Sequence, residues 1–280
     1  MRKLLVVDGS NLLFQMFYGM PSRIVNKEGK AIHGTLGFVG ALLKIIRRVA
    51  PTHAVVLFDG ECRNERKDID ADYKANRPDF SQLPEEETPF SQLPDIYAAL
   101  DRLKIAHTET TTCETDDLVA SYALQWGGEM QIVISSFDSD FFQLITENVS
   151  VLRYRGEKTI ICDETYVYSK FGISPRQYAD FKALTGDNAD NIKGADKIGP
   201  KTAAALLNEF GTLADILKNA GSIRRESVRN SILGAKERLR KNQRLIVLDG
   251  KTTLPFGTEE LRFVYNGETT GEILQSIGLK

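Results

Sequence analysis

Apolar positions in the first half of the chain fall into short continuous runs separated by longer amphipathic segments. The runs are rich in β-branched residues, as strands buried on both faces are, and lie at Lys3 to Asp8, His53 to Asp59 and Gln131 to Ser135. The longer segments predict helices at Leu36 to Val49, Pro94 to Lys104 and Thr115 to Trp126. This alternation predicts an α/β fold, with a mostly parallel central sheet flanked by helices.

After about residue 170 the pattern becomes helical. Helices are predicted at Pro175 to Leu184, Pro200 to Glu209, Leu213 to Lys218 and Ala235 to Val247. We therefore expect an α/β core at residues 1–170, a helical region at residues 171–250, and a tail at residues 251–280 that packs on the core.

The connection between the second predicted strand and the next helix covers residues 61–93 and is longer than an ordinary connection in a compact domain. It begins with many charged residues and ends rich in Pro and Glu. One interpretation is a disordered surface excursion. The other is a flexible lid that faces DNA, which Tyr73-Lys74 with basic neighbours would suit.

The composition is that of an ordinary globular chain, with 42% hydrophobic and 26% charged residues. No apolar stretch is long enough to cross a bilayer, and the N-terminus lacks the pattern of a secretory signal, so we expect a cytoplasmic protein. Cys62, Cys113 and Cys162 fit neither a zinc site nor a disulfide framework and are interpreted as free thiols.

The formal net charge of −2 hides an uneven distribution. Between Lys193 and Arg244 twelve Lys or Arg residues stand against five acidic ones, which gives that segment a charge of +7. A one-sided basic patch attracts phosphate backbones, although a solvated helical face has the same composition.

Acidic residues follow all three predicted strands. Asp8 and Asp59 end the first two, and Asp138 and Asp140 come shortly after the third. The carboxyl ends of parallel strands meet at one edge of a sheet, where ligands bind. A single Asp in such a position is more often a helix N-cap, but four together indicate a site.

Two further acidic clusters can join this edge. Glu114, Asp116 and Asp117 open a predicted helix, on which Glu114 and Asp117 share a face and Asp116 joins them only if the first turn is irregular. Asp187 and Asp190 lie in a turn-rich segment. Favourable charge at a helix N-terminus and a polar turn are the structural alternatives.

Nine converging carboxylates cannot all stay ionised without cations. Oxygen ligands without His or Cys select Mg²⁺ or Mn²⁺, and two such ions about 3.5 to 4 Å apart are the usual apparatus of phosphodiester cleavage. Without these nine acids the rest of the chain carries +7. Such a basic body around an acidic pit suits a nucleic acid that is held broadly and cut at one point.

The ordered motifs resemble those of the bacterial 5′-nuclease or flap endonuclease family, and the chain is similar to the N-terminal 5′-3′ exonuclease domain of DNA polymerase I, standing alone. The resemblance covers about residues 3 to 250. The motifs are Val7-Asp8-Gly9-Ser10-Asn11, Phe58-Asp59, Arg66, Tyr73-Lys74 with Arg77-Pro78, Glu114 to Asp117, Asp138-Ser139-Asp140, Gly186-Asp187 with Asp190-Asn191-Ile192, and Gly194 with Ile198 to Ala203.

The resemblance implies flap endonuclease and 5′-3′ exonuclease cleavage of DNA in replication and repair, giving a 5′-phosphate and a 3′-hydroxyl. It implies a monomer that acts in the bacterial cytoplasm at the nucleoid, on DNA with a 5′ flap or a 5′ end, including RNA-primed ends, and uses two Mg²⁺ ions for which Mn²⁺ can substitute. The first ion is assigned mainly to Asp8, Asp59, Glu114, Asp116 and Asp138 with Asp117 nearby, and the second to Asp140, Asp187 and Asp190.

The resemblance also implies DNA contacts. Residues 61–93 would form a helical arch from which Arg66 and Lys74 contact the scissile phosphate and Tyr73 stacks on a base. A helix-hairpin-helix element, whose free backbone N–H groups hold a duplex phosphate, completes the interface. The DNA-binding residues of the arch and of this hairpin are then Arg66, Tyr73, Lys74, Arg77, Lys193, Lys197, Gly199, Lys201 and Thr202.

Two positions depart from the family pattern. The hairpin turn reads Lys197-Ile198-Gly199 where Gly-Val-Gly is usual, at the place where the family often keeps a K⁺ ion. Phe137 stands where relatives often have Gly, and we expect local repacking around it.

Three other functions would fit part of this pattern. A ribonuclease on a similar acid-tipped sheet would need neither the hairpin nor the long connection. A module that binds branched DNA without cutting would not need all nine acids. Hydrolases with a nucleophilic Asp carry a second Asp two residues later, a position that Ser10 occupies here.

Overall fold

The computed structural model describes residues 2–60, 65–77, 80 and 83–279. Its strands are Lys3–Asp8 (β1), His53–Asp59 (β2), Ala106–Thr110 (β3), Gln131–Ser135 (β4), Val149–Arg153 (β5), Ile160–Cys162 (β6), Gly186–Asp187 (β7) and Ile192–Lys193 (β8). Its α-helices are Gly9–Gly19 (α1), His33–Val49 (α2), Glu65–Ile69 (α3), Leu93–Leu103 (α4), Thr115–Trp126 (α5), Glu164–Phe171 (α6), Tyr178–Thr185 (α7), Pro200–Phe210 (α8), Leu213–Lys218 (α9), Glu226–Gly234 (α10), Lys236–Ile246 (α11) and Thr270–Ser276 (α12). Short 3₁₀ helices lie at Glu85–Glu87, Pro89–Gln92, Asp140–Leu144, Pro175–Gln177 and Ala220–Ser222.

The central sheet has the order β3-β2-β1-β4-β5-β6. The pairs from β3 to β5 are parallel, and β6 runs antiparallel to β5. In the middle, Val6 of β1 lies between Val55 of β2 and Ile134 of β4. The predicted mostly parallel α/β sheet is confirmed. Because the strand order reverses direction at β1, a crevice opens between β1 and β4 at their carboxyl ends.

Helices cover both faces of the sheet. Leu5 and Val7 of β1 belong to one buried apolar cluster, which they share with α2 and α4. Leu4 and Val6 point to the opposite face and belong to a second cluster, which includes α5 and the helical region. Since every residue from Leu4 to Val7 is fully buried, β1 is a continuous apolar run with no polar alternation.

The helical region comprises α7 to α11 and the small antiparallel pair β7-β8. Its buried residues, such as Leu207 and Leu239, continue the apolar cluster beneath α5. The predicted helix at Pro175 to Leu184 begins as a 3₁₀ turn and becomes α7. Gly186 and Gly194 let β7 and β8 approach closely, since a Cβ on Gly186 would lie 2.6 Å from the Gly194 nitrogen.

The C-terminal segment lies against the α/β sheet. Phe263 donates a backbone hydrogen bond to Thr52, and Ala54 donates one to Leu261. Leu261 and Ile273 are buried in the two apolar clusters, one on each face of the sheet. Within the described ranges, no helix is long and apolar enough to cross a membrane.

In the described part of residues 61–93, α3 is followed by turns as far as Arg77. Cys62 and Pro78 lie outside the described residues, and the helical arch over 61–93 stays a prediction. Neither Cys113 nor Cys162 forms a disulfide within the described chain.

Candidate active site

A cavity of about 480 Å³ opens at the carboxyl edge of the sheet. Asp8 and Asp59 end β1 and β2, Glu114 precedes the first residue of α5, and Asp138 follows β4. Together with Asp116 they line this cavity, as do Lys67, Lys74 and Arg77. These five carboxylates therefore lie around one cavity in the folded chain.

Asp8 is held in place by burial and by two hydrogen bonds. It is buried, accepts the Asn11 N–H at 3.0 Å as the N-cap of α1, and accepts the Ser136 hydroxyl at 2.8 Å. Burial, and then the neighbouring charge of Asp59, raises its pKa to about 7. Burial and the charge of Asp138 likewise raise the pKa of Asp116 well above its usual range. Carboxyl groups with such raised pKa values gain most from a bound cation.

The loop after β4 is held by hydrogen bonds from its backbone N–H groups to side-chain oxygens. The Asp138 N–H donates to the Ser136 hydroxyl at 2.9 Å, and the Asp138 carboxylate accepts the Asp140 N–H at 2.8 Å. The Phe137 N–H donates to Asn11 at 3.1 Å, and its ring lies 5.0 Å from the Arg155 guanidinium. Phe137 is thus held by a backbone hydrogen bond and a cation–π contact, while repacking relative to a glycine at this position stays a prediction.

A second carboxylate cluster comprises Asp140, Asp187 and Asp190. One ligand oxygen from each lies within 4.8 Å of the other two, the closest grouping of potential metal ligands among the described residues. Lys182 of α7 forms ion pairs with Asp140 and Asp187. Burial raises the pKa of Asp140 to about 7, although Lys182 opposes that shift. Arg77 pairs with Asp190 at 2.9 Å.

Sequence reasoning did not single out Lys182. The sequence pattern that could have identified it is a single cation among apolar neighbours. Lys182 lies between Phe181 and Ala183-Leu184, which are all buried. A buried lysine is rare unless it is paired. A lysine at a buried helix position therefore points to an acidic partner elsewhere in the fold.

Asp117 lies beside Glu114, with which it shares the Arg66 guanidinium, but it does not line the cavity that holds the other four acids. Both of its oxygens accept hydrogen bonds from Arg66, at 2.7 and 2.9 Å, and one also accepts the Asp249 N–H at 2.8 Å. The turn of α5 places Glu114 and Asp117 on one face toward Arg66. It thereby directs Asp116 into the cavity.

Arg66 is held by a network of buried contacts. Its guanidinium is buried, bonds Glu114 at 2.6 Å as well as Asp117, and donates from Nε to the Leu245 carbonyl at 2.9 Å. These contacts brace α3 against α5 and the end of α11. In this conformation Arg66 lines a neighbouring cavity with Glu114 and Asp117, and its contact with a scissile phosphate stays a prediction.

Tyr73 and Lys74 connect the two carboxylate clusters. The Tyr73 side chain is buried, and its hydroxyl lies 3.5 Å from Glu114 and 3.4 Å from Asp190. The ring is 3% exposed, so stacking on a base, which stays a prediction, would require the ring to leave this position. Lys74 donates from Nζ to Glu114 at 3.1 Å and from its backbone N–H to the Asp190 carbonyl at 3.1 Å.

The hairpin residues lie on the surface at the start of α8. Lys193, Lys197, Gly199 and Lys201 are exposed, and Thr202 is half-buried. Lys197 has a φ of 65°, whereas Gly199 is extended with open space where a Cβ would lie. Lys197 therefore adopts the left-handed conformation that favours glycine, which shows how the turn forms without the usual first Gly.

We predict that the metal-free protein loses stability as pH rises from about 4 to about 7. Asp8 and Asp140 have an ordinary pKa of 3.8 and folded values near 7. Between these values the folded state binds more protons than the unfolded state, so their stabilising contribution is complete below pH 3.8 and is lost through pH 7. Thermal unfolding in EDTA measures this trend.

An Asp8→Asn variant is the matched control for this trend. Its melting temperature is expected to fall less over the same pH range, because the asparagine does not ionise. Added Mn²⁺ should restore the wild-type melting temperature at pH 7. A wild-type curve parallel to that of the variant in EDTA would contradict the role given to Asp8.

Comparison with known proteins identifies the family of this chain. Residues 3–172 match a family model described as the 5′-3′ exonuclease N-terminal resolvase-like domain, and residues 173–268 match the 5′-3′ exonuclease C-terminal SAM fold. A 5′-3′ exonuclease of Aquifex aeolicus is 31% identical, over 94% of this chain and 87% of that protein.

Two further comparisons place the chain among longer proteins and solved structures. DNA polymerase I of Rhizobium leguminosarum is 36% identical over 90% of this chain, which spans only 25% of that polymerase. A flap endonuclease of bacteriophage T5, solved with DNA and metal ions, is 24% identical with a TM-score of 0.71, covering 88% of this chain and 89% of that one. At that level of identity the likeness establishes the fold.

Proposed function

The chain belongs to the 5′-3′ exonuclease family and is a metal-dependent nuclease, and we propose that it hydrolyses DNA at 5′ flaps and 5′ ends, leaving a 5′-phosphate and a 3′-hydroxyl. The observation that carries this proposal is the meeting of two carboxylate clusters at the carboxyl edge of the sheet. We further propose that the protein acts as a monomer in DNA replication or repair, in the bacterial cytoplasm at the nucleoid.

We assign the two clusters to two divalent ions, Mg²⁺ or its substitute Mn²⁺. Asp8, Asp59, Glu114, Asp116 and Asp138 would hold the first ion. Asp140, Asp187 and Asp190 would hold the second, with Asp117 near the first ion but outside the cavity that its ligands line. Oxygen donors alone fit hard divalent cations. When bound, such ions activate a water and stabilise charge on the attacking and leaving oxygens.

The remaining residues bind and orient the DNA. Lys74 and Arg77 line the same cavity as the first cluster, where a scissile phosphate would meet their positive charge. The exposed lysines of the hairpin and the N-terminus of α8 would hold the duplex backbone without reading its sequence. We also propose that the substrates include RNA-primed 5′ ends. A K⁺ ion at the Lys197 turn is a further part of the proposal.

The decisive experiment uses an end-labelled duplex with a single-stranded 5′ flap. Cleavage near the flap junction in Mg²⁺, absent in EDTA, would support the proposal, and a 5′ flap of RNA in a parallel reaction would measure the primer preference. Blocking the 5′ end with streptavidin separates exonuclease from endonuclease products. Tight flap binding without any cleavage in Mg²⁺ or Mn²⁺ would make the protein a structure-specific binding module instead.

Lys74→Ala is expected to slow single-turnover cleavage by about 10²-fold, because a fixed cation at the reacting phosphate acts mainly on charge that develops in the transition state. Flap affinity should change far less. Lys67→Ala, which removes an exposed lysine from the same cavity, is the matched control and should reduce the rate much less. Equal rates for Lys74→Ala and the wild type would remove Lys74 from the chemistry.

A further inference from the structure

A buried lysine lies inside the second carboxylate cluster. Lys182 is 7% exposed, and its ammonium forms ion pairs with Asp140 and Asp187. Asp190, the third acid of the cluster, is paired with the more exposed Arg77. The positive charge of Lys182 thus lies among oxygens that the proposed function gives to a metal ion.

The two clusters differ in the spacing of their acids. In the second, the three ligand oxygens lie within 4.8 Å of one another, a closeness that no three of the first-cluster acids reach among the described residues. Lys74 contacts the first cluster only at Glu114, whose oxygen also receives Arg66. Like charges in a buried site approach closely only around a cation, and Lys182 is that cation in the second cluster.

We propose that Lys182 is a built-in counter-cation of the second metal site, which holds Asp140 and Asp187 together until a divalent ion displaces it. This inference rests on the proposed function, which assigns that site to a metal. The second ion must displace an ammonium group that pairs with two of its three acids, whereas the cations at the first cluster pair with Glu114 and form no ion pair with Asp8, Asp59, Asp116 or Asp138 among the described residues. We therefore expect the ions to bind in order. The first cluster fills at low metal concentration and the second only at higher concentration.

Only the side chain of Lys182 has to move. Helix α7 is anchored on both sides of Lys182, because the Asp180 carboxylate accepts the Leu213 N–H at 2.8 Å and the Ala183 carbonyl accepts the Asn242 amide at 3.0 Å. A lysine has a flexible four-carbon stem, so its ammonium can withdraw while the helix stays in place. Ion exchange at this site therefore needs no refolding of the helical region.

The test is a Mn²⁺ titration of the full chain, followed by calorimetry and by electron paramagnetic resonance of the unbound ion. Wild type should bind one ion tightly and one weakly. Lys182→Met, which keeps the apolar stem without the charge, should lower the second dissociation constant by about tenfold or more and leave the first unchanged. Lys170→Met, which removes an exposed lysine of α6, should match wild type.

Three outcomes separate this inference from the proposed function. Two bound ions with the same second dissociation constant in Lys182→Met and wild type would overturn the role of Lys182 alone. Failure of wild type to bind any second ion, or to cut flap DNA in Mn²⁺, would overturn the assigned second site itself. If Lys182→Met does not fold, Lys182→Gln, purified with Mn²⁺ present, should show the same tighter second site, and an unchanged constant there would refute the inference.

Discussion

An Asp138→Asn variant is expected to lose nearly all cleavage while still binding flap DNA. Asp138 lines the cavity with four other acids, and its charge contributes to the raised pKa values of Asp8 and Asp116. Asparagine has the same shape and can still accept the Asp140 N–H, so the loop should keep its conformation. Loss of one metal-binding charge removes several kcal/mol of transition-state stabilisation, so we expect the single-turnover rate to fall by about 10³-fold.

Rate and affinity must be measured separately to test this expectation. Binding of the labelled flap in Ca²⁺ or EDTA should change by no more than about threefold, since duplex affinity comes from phosphate contacts made elsewhere. Asp101→Asn replaces an exposed acid on α4 and serves as the control, with wild-type rate expected. Full turnover by Asp138→Asn would show that Asp138 takes no part in the site.

The fold was predictable where strands are buried on both faces. β1, β2 and β4 are such strands, and their predicted bounds coincide with the observed ones. β3 escaped prediction because its residues His107 to Thr110 are polar and mostly half-exposed, next to only one neighbouring strand. Its length and position are set by pairing with β2, a contact between distant parts of the chain that no local pattern contains.

The candidate site likewise has a part that the sequence pattern predicted and a part that only the fold determines. Parallel strands bring their carboxyl ends to one edge whatever the details, so the meeting of Asp8, Asp59 and Asp138 followed from the pattern alone. Whether Asp116 or Asp117 faces that edge depends on the phase of α5, which a shift of one residue would reverse. Arg66 lies 48 positions before Glu114 in the chain, and its bond to Glu114 helps to fix the orientation of α5. Only the folded structure supplies that contact.

Arg66→Met is expected to destabilise the protein by about 3 to 5 kcal/mol, the usual cost of removing one partner from a buried ion pair. The change leaves Asp117 buried beside the Asp249 N–H alone and takes one of the cations from Glu114. It also removes the bond between α3 and the Leu245 carbonyl. Guanidinium unfolding of the metal-loaded protein measures the loss as a lower midpoint with an unchanged slope.

The double variant Arg66→Met/Asp117→Asn decides whether the ion pair is the cause. Asparagine can still accept the Asp249 N–H but leaves no uncompensated charge at that position, so the pair of changes should cost less than the sum of the two single ones. Additive losses would assign the effect to packing instead. Cleavage provides the complementary test, because a clamp that does not touch the phosphate predicts that folded Arg66→Met keeps a far higher single-turnover rate than Lys74→Ala, whereas equal rates would return Arg66 to the reacting phosphate.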